Sequence, residues 1–295
     1  MRIANLDGRL VIVTGDAGHE IAYDVEKSSG SQFRADPQAV YDEWDAFTAW
    51  AATARWQDGV AYRPEALGSP APAPRQVFGI GLNYREHAAE SGYDAPVGEP
   101  PVFTKFPSCI TGPCGEIEMP SGGHVDWEVE LVAVIGRRAY RVPVDRALDH
   151  VAGYAVGQDV SERVLQLAAQ PPQFSLGKSL PGFGPIGPWL VTLDEVARVA
   201  DPNDLELGCE VNGEPVQLSR TGQLIFSVPA LIANLSASTP LLPGDVIFTG
   251  TPSGVGLGRS PQRWLAHGDI LTSHIESIGG MRHRFAAADH AKGRT

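Results

Sequence analysis

The sequence predicts a β-rich α+β fold: a mixed sandwich or roll of short strands with helices at its edges, behind a small N-terminal α+β domain. Three observations predict it. Short runs rich in Val, Ile and Leu recur from residue 77 onward. Gly and Pro, 33 and 24 of the 295 residues, punctuate them as turn residues do. Helical periodicity is confined to brief stretches, and strands do not alternate with helices as a doubly wound sheet or a TIM barrel requires.

In chain order, segments 2–5 and 10–13 are expected strands flanking Asp7-Gly8, a tight-turn pair. Residues 37–55 are an expected helix, with Pro37 in its first turn and Val40, Trp44, Phe47, Trp50 and Ala51 at helical spacing. The stretch YRPEALGSPAPAPRQ at 62–76 reads as an extended linker. A boundary near residue 72 therefore divides the chain into units 1–72 and 73–295. In the second unit, strands are expected at 77–81, 125–135, 151–159, 205–211, 245–250 and 270–275. Asn212-Gly213 marks a hairpin, and helices are expected at 83–90, 161–169 and 228–235.

The formal net charge is −12 and the pI about 5.1. Such a surface repels nucleic acid and anionic membrane, so neither is an expected partner, and a site for an anionic substrate must be locally positive. The three cysteines, Cys109, Cys114 and Cys209, are too few and too scattered for a disulfide framework or a zinc cluster. The opening MRIANLDGRLVIV has no signal-peptide pattern and no run is long enough to span a bilayer, so the expected compartment is the cytoplasm. GIGLNYREH and TGTPSGVGLG are Gly-rich but match neither the dinucleotide nor the P-loop fingerprint.

Four segments carry residues that could do chemistry. In VDWEVELVAVIG (125–136), Glu128 and Glu130 stand two apart. On a strand, such residues project to one face roughly 6.6 Å apart. If that strand enters the core, two adjacent carboxylates are costly, and a hard divalent cation relieves both burial and repulsion. The alternative is an alternating strand with Trp127, Val129 and Leu131 inward and both Glu in water. Asp159 closes an apolar run, as a third metal ligand or as a helix N-cap. Arg163 and Gln166 share a helix face, either gripping a substrate carboxylate or lying in solvent. Lys178 sits alone in the uncharged FSLGKSLPGFGPIGP, as an oxyanion-stabilising cation or a surface loop residue. In NYREHAAE (83–90), Asn83 suits an N-cap, and Glu90 can orient His87 to take a proton from water. That pair also occurs on many helix surfaces.

These segments, in this order, resemble the fumarylacetoacetate hydrolase family. The likeness runs through GLNYREHAAE, PPVFTKFPSCITGP, VDWEVELVAVIGR, GYAVGQDVSER, LGKSLPGFGPIGP, EVNGEPVQ, PGDVIFTGTPSGVG and IESIGGMRHRF, covering about residues 78–285. It implies a mixed β-roll that forms homodimers and binds Mg2+ or Mn2+, occasionally Ca2+. It implies Glu128, Glu130 and Asp159 as metal ligands and His87, Glu90 and Lys178 as catalytic groups. Arg163, Gln166 and, from the TGTP loop, Gly250 and Thr251 fall at the substrate. The implied activity is metal-dependent hydrolysis of a carbon–carbon bond in an acylpyruvate or related β-diketo acid. The same core also serves decarboxylation, isomerisation and hydration of 2-oxo acids, and a non-catalytic metal-stabilised binding module is a third reading. The family more often has N-D-V-S-A-R where this chain has Gln158-Asp159-Val160-Ser161-Glu162-Arg163, and K-S-F-D at Lys178-Ser179-Leu180-Pro181. These departures surround the substrate and leave its acyl group open. Phe103, Phe174, Leu180, Phe183 and Trp189 are candidates either for an apolar acyl pocket or for the core.

Overall fold

The first hairpin joins β1 (Arg2–Leu6) to β2 (Arg9–Thr14). Asp7 and Gly8 both have positive φ, 49° and 79°, which matches the right-handed twist of the flanking strands. This is a computed structural model, and it describes residues 1–288. β3 (Ile21–Asp24) completes an N-terminal meander. The remaining strands are β4 (Val77–Ile80), β5 (Val102–Thr104), β6 (Cys114–Met119), β7 (Val129–Ile135), β8 (Val151–Gln158) and β9 (Gly184–Val191). They continue with β10 (Glu206–Val211), β11 (Glu214–Arg220), β12 (Val246–Phe248), β13 (Ile270–Ile275) and β14 (Gly279–Ala287).

The large mixed sheet runs β3-β2-β1-β9-β8-β7-β12-β4-β5, with two short strands, Leu67–Gly68 and Ile110–Thr111, attached to β1 and β9. A second sheet runs β11-β10-β13-β14-β6. Asn212 and Gly213, again both at positive φ, turn β10 into β11. The N-terminal strands are continuous with the large sheet: Arg2 and Ile3 pair with Val191 and Leu190, and Leu67–Gly68 returns to β1.

β7 is buried along its whole length. Leu131, Ala133 and Ile135 join one apolar cluster with Leu207, Leu271 and Phe285 of the second sheet. Val132 and Val134 join another with Tyr41, Trp44 and Phe47. Both faces of the central strands are therefore covered, which is why they read as unbroken apolar runs rather than as alternation.

Several expected elements are shorter or broken. The helix expected at 37–55 is a 3-10 turn, Ala39–Glu43, followed by α1 (Trp44–Ala51). The strand expected at 125–135 is interrupted at Trp127 and Glu128, leaving Val125–Asp126 to pair with Ser161–Glu162. The helix expected at 161–169 shrinks to α3 (Arg163–Gln166) because Ser161 and Glu162 are drawn into that pairing; Glu162 caps it through Val164 and Leu165 N–H. Between these lies α2 (Arg85–Glu90), two residues later than expected; α4 (Phe174–Gly177) and α5 (Val228–Ser238) follow. Asn83 does not cap α2. Its amide donates to Phe226 O and Thr249 O, and its Oδ1 accepts from Phe226 N.

Candidate active site

The break before β7 shapes the site. Glu128 N–H donates to Gln158 Oε1 (2.8 Å) and Val129 N–H to Gln217 Oε1 (2.9 Å), while Glu128 O accepts from Asp159 N (2.9 Å). Side-chain amides thus satisfy backbone groups that a regular ladder would pair, and the chain bends without leaving buried donors unmet. Both Glu side chains turn inward, 5% and 1% exposed, so the reading that put them in water is corrected. Glu128, Glu130 and Asp159 each present a carboxylate oxygen, and these lie within 4.8 Å of one another.

Three buried cations surround the carboxylates. Lys178 Nζ donates to Glu128 Oε2 (2.7 Å), Asp159 Oδ2 (2.6 Å) and Ser161 Oγ (2.9 Å). Lys105, behind Asp159, donates to its Oδ1 (2.6 Å), to Phe183 O and to Lys178 O. Arg163 Nη2 lies 2.7 Å from both Glu128 Oε1 and Asp126 Oδ2, Nε also donates to Asp126, and Nη1 donates to Gln166 Oε1 (2.8 Å). The fork therefore grips Asp126, and Arg163 orients Gln166. Asp126 further accepts the amides of Trp127, Gly256 and Leu257.

The three carboxylates differ electrostatically. Burial alone would raise Glu128, but Lys178 and Arg163 outweigh it and hold its carboxyl at about 2. Glu130 is pushed well above the usual range by burial and by the charges of Asp159 and Glu128. It accepts a hydrogen bond from Gly250 N–H (2.7 Å). At Gly250 the backbone has φ +107°, and a side chain would collide with Asn83, so only glycine delivers this amide. Burial disfavours charge on Lys178, yet Asp159 and Glu128 raise its pKa.

A cavity of about 350 Å3 opens onto Glu128, Lys178, Arg163, Gln166 and Thr251. His87 and Glu90 enter it from α2. His87 Nδ1 lies 2.8 Å from Glu90 Oε1, and Glu90 Oε2 accepts from Gly254 N (2.9 Å). A carboxylate oxygen accepts, so Nδ1 is the donor to Glu90, and Nε2 is the ring nitrogen left without that partner. Thr251 Oγ1 donates to Val129 O (2.9 Å). Of the five apolar candidates, Phe103 and Phe174 line the cavity, 5.8 Å apart and edge to face. Phe183 and Trp189 are buried in the core, with Leu180 packed against it.

The residues singled out from the sequence for the metal, the His–Glu pair, the lysine and the substrate carboxylate all come to one region. Asp126, Lys105, Gln158 and Gln217 were missed. Lys105 had the signal that marked Lys178, a lone Lys in an apolar, Pro-rich stretch; the glutamines had none.

The model of the fumarylacetoacetate (FAA) hydrolase C-terminal region matches residues 76–286. The chain belongs to the fumarylacetoacetate hydrolase family. This is a family of enzymes, and its members differ in reaction. Oxaloacetate tautomerase FAHD2A, mitochondrial, of Bos taurus is 43% identical over 212 residues, covering 72% of this chain and 66% of that protein. A crystal structure of a protein assigned as HpcE from Mycobacterium smegmatis is 56% identical, with TM-score 0.91 over 98% of this chain and 100% of that one. Maleylpyruvate hydrolase from Sphingobium sp. SYK-6, in complex with manganese (II) ion and pyruvate, is 27% identical with TM-score 0.75, covering 98% and 100%. As in these fumarylacetoacetate hydrolase relatives, the core here is strand-rich. No helix among the described residues is long and apolar enough to cross a membrane.

Proposed function

We propose that this chain is a divalent-cation-dependent enzyme that hydrolyses a carbon–carbon bond in an acylpyruvate-type β-diketo acid. The observation that carries the reading is a buried three-carboxylate cluster that reaches, through Glu128, the same cavity that a His–Glu pair lines. The residues fit a hard cation. With Asp126, Glu128, Glu130 and Asp159 ionised, four negative charges face the three positive charges of Lys105, Arg163 and Lys178, leaving −1. A divalent ion makes the balance of this cluster +1, which offsets the Glu90 carboxylate on the same cavity.

Mg2+ or Mn2+, with Ca2+ as a third candidate, held by Glu128, Glu130 and Asp159 would supply a Lewis acid for the 2-oxo acid and charge for its enolate. The chain's own groups do the rest. Gln166, its Oε1 held by Arg163, offers its amide N–H groups to the substrate carboxylate beside Thr251. His87 takes a proton from water at Nε2 while Glu90 holds Nδ1–H, and the water oxygen adds to the distal carbonyl carbon. The bond from that carbon to the neighbouring methylene breaks. Its electron pair stays on the methylene as the enolate of pyruvate, and the acyl fragment leaves as a carboxylic acid. The proton on Nε2 then returns to the enolate carbon. Lys178, three-fold anchored, fixes positive charge beside that anion. Gly92 and Gly98, both at positive φ, bracket a segment suited to closing over the cavity.

The likeness to an oxaloacetate tautomerase favours a second reading, in which His87 shuttles a proton between enol and keto forms and no bond is cleaved. Incubation with Mn2+ and a panel of acylpyruvates, oxaloacetate and dienoic 2-oxo acids separates the two. Loss of enol absorbance with two acid products is expected. Loss without new products supports the tautomerase, and CO2 release supports a decarboxylase. Silence on every compound would leave a binding module. The proposal also includes a cytoplasmic homodimer, for which light scattering should give twice the 31.5 kDa chain mass.

A further inference from the structure

We infer that the cavity selects 2-oxo acids whose far substituent is uncharged and apolar, and disfavours those ending in a second carboxylate; this rests on reading the site as one for acylpyruvates. The polar end of the cavity is the carboxylate–cation cluster, where the 2-oxo acid head belongs. Beyond the cluster the largest share of the wall is hydrocarbon: Leu82, Phe103, Leu167, Phe174 and Leu257 line it, with Ser91, Tyr93 and Gln262 as its neutral polar residues. A hydrocarbon wall rewards each buried methylene by about threefold to fourfold in affinity.

A second carboxylate would need a cation or several free donors at that wall. Among the described residues lining the cavity, the permanent cations are Arg163 and Lys178. Both stand in the cluster, where all three N–H groups of Lys178 and four of the five of Arg163 are taken. Arg163 is committed to Asp126, Glu128 and Gln166, and Lys178 to Glu128, Asp159 and Ser161. Glu90, the other charged group facing the cavity beside His87, is itself an anion and repels a carboxylate. Ser91, Tyr93 and Gln262 supply neutral groups only, and Gln262 Nε2 already donates to Leu257 O.

The test uses uncleavable 2-oxo acids of matched length, so that it reads binding rather than turnover. The full chain with Mn2+ is titrated calorimetrically with 2-oxobutanoate, 2-oxohexanoate, 2-oxooctanoate and 2-oxooctanedioate. The expected result is affinity rising about threefold per methylene along the monoacids, with the dioate at least tenfold weaker than 2-oxooctanoate. A dioate that binds as well as the monoacid, or a flat monoacid series, overturns the inference. No measurable binding of any of them overturns it too. Leu257→Arg places a cation on the wall and should move the ratio at least tenfold toward the dioate; an unmoved ratio in a folded variant counts against the assignment. Failure of the hydrolase reading looks different: no acylpyruvate is cleaved, whichever way the binding ratio falls.

Discussion

Gln158 and Gln217 stand opposite Glu128 and Val129 where a neighbouring strand's carbonyls would otherwise sit, and Gln217 also donates to Thr251 and Pro252 O. Their partners are fixed in turn, since Gln158 donates to Ser273. Single residues thus hold apart two roles that the sequence places side by side. Glu130→Ala should abolish Mn2+ binding measured by calorimetry. His87→Ala should keep it and lower kcat by about two to four orders of magnitude, the range for a lost general base. Near-normal turnover of His87→Ala would remove His87 from the mechanism. Another buried imidazole makes a pH prediction. Burial pulls His283 down to about 4, against an opposing hydrogen bond to Gly112 O, and its Nδ1 has no partner. The unfolded chain binds a proton near 6.5, the folded chain only near 4, so stability is full above 6.5 and is lost as pH falls toward 4. The single group removes about 3 kcal/mol across that window. Denaturant unfolding of His283→Gln at pH 7 and pH 5 should show a smaller loss than wild type; an equal loss would refute the assignment.

At the scale of elements, α2 carries His87 and Glu90, and its approach is set by Asn83 rather than by a cap. Asn83 ties the chain before α2 to Phe226 and to Thr249, next to the Gly250 amide that serves Glu130. Its replacement by Ala removes one buried and two partly buried hydrogen bonds and leaves their backbone partners without this side chain, at about 2–4 kcal/mol. Asn83→Ala should therefore lower the thermal midpoint and, because α2 loses its tether, reduce kcat more than Mn2+ affinity. A variant with wild-type midpoint and kcat would show that α2 is positioned otherwise. The loop after β12 works similarly. Gly254 N–H holds Glu90 while Gly256 and Leu257 N–H hold Asp126, so one stretch of backbone joins the partner of His87 to the residue that grips Arg163.

Across the whole molecule, the unit proposed at 1–72 contributes strands to the same sheet that supplies β7 and β8, and its aromatic residues cover one face of that sheet. Removing residues 1–24 should expose the edge of β9 and the apolar faces around Leu190, giving aggregation rather than a smaller folded enzyme. A soluble, monodisperse truncation with full activity would establish residues 25–295 as independent of the first three strands. The sequence by itself determined the strand-rich class, the glycine-bearing hairpin turns and the residue types of the site. Turn chemistry is local, and carboxylates inside an apolar run announce their own cost. Tertiary structure alone decided where strands stop, because pairing of Ser161–Glu162 with Val125–Asp126 overrode the local helical pattern of 161–169. It alone recruited Asp126, Lys105, Gln158 and Gln217, whose roles exist only where distant segments meet. The site is a balance of buried charges, and that balance is a property of the folded assembly, since each charge is tolerable only beside the others.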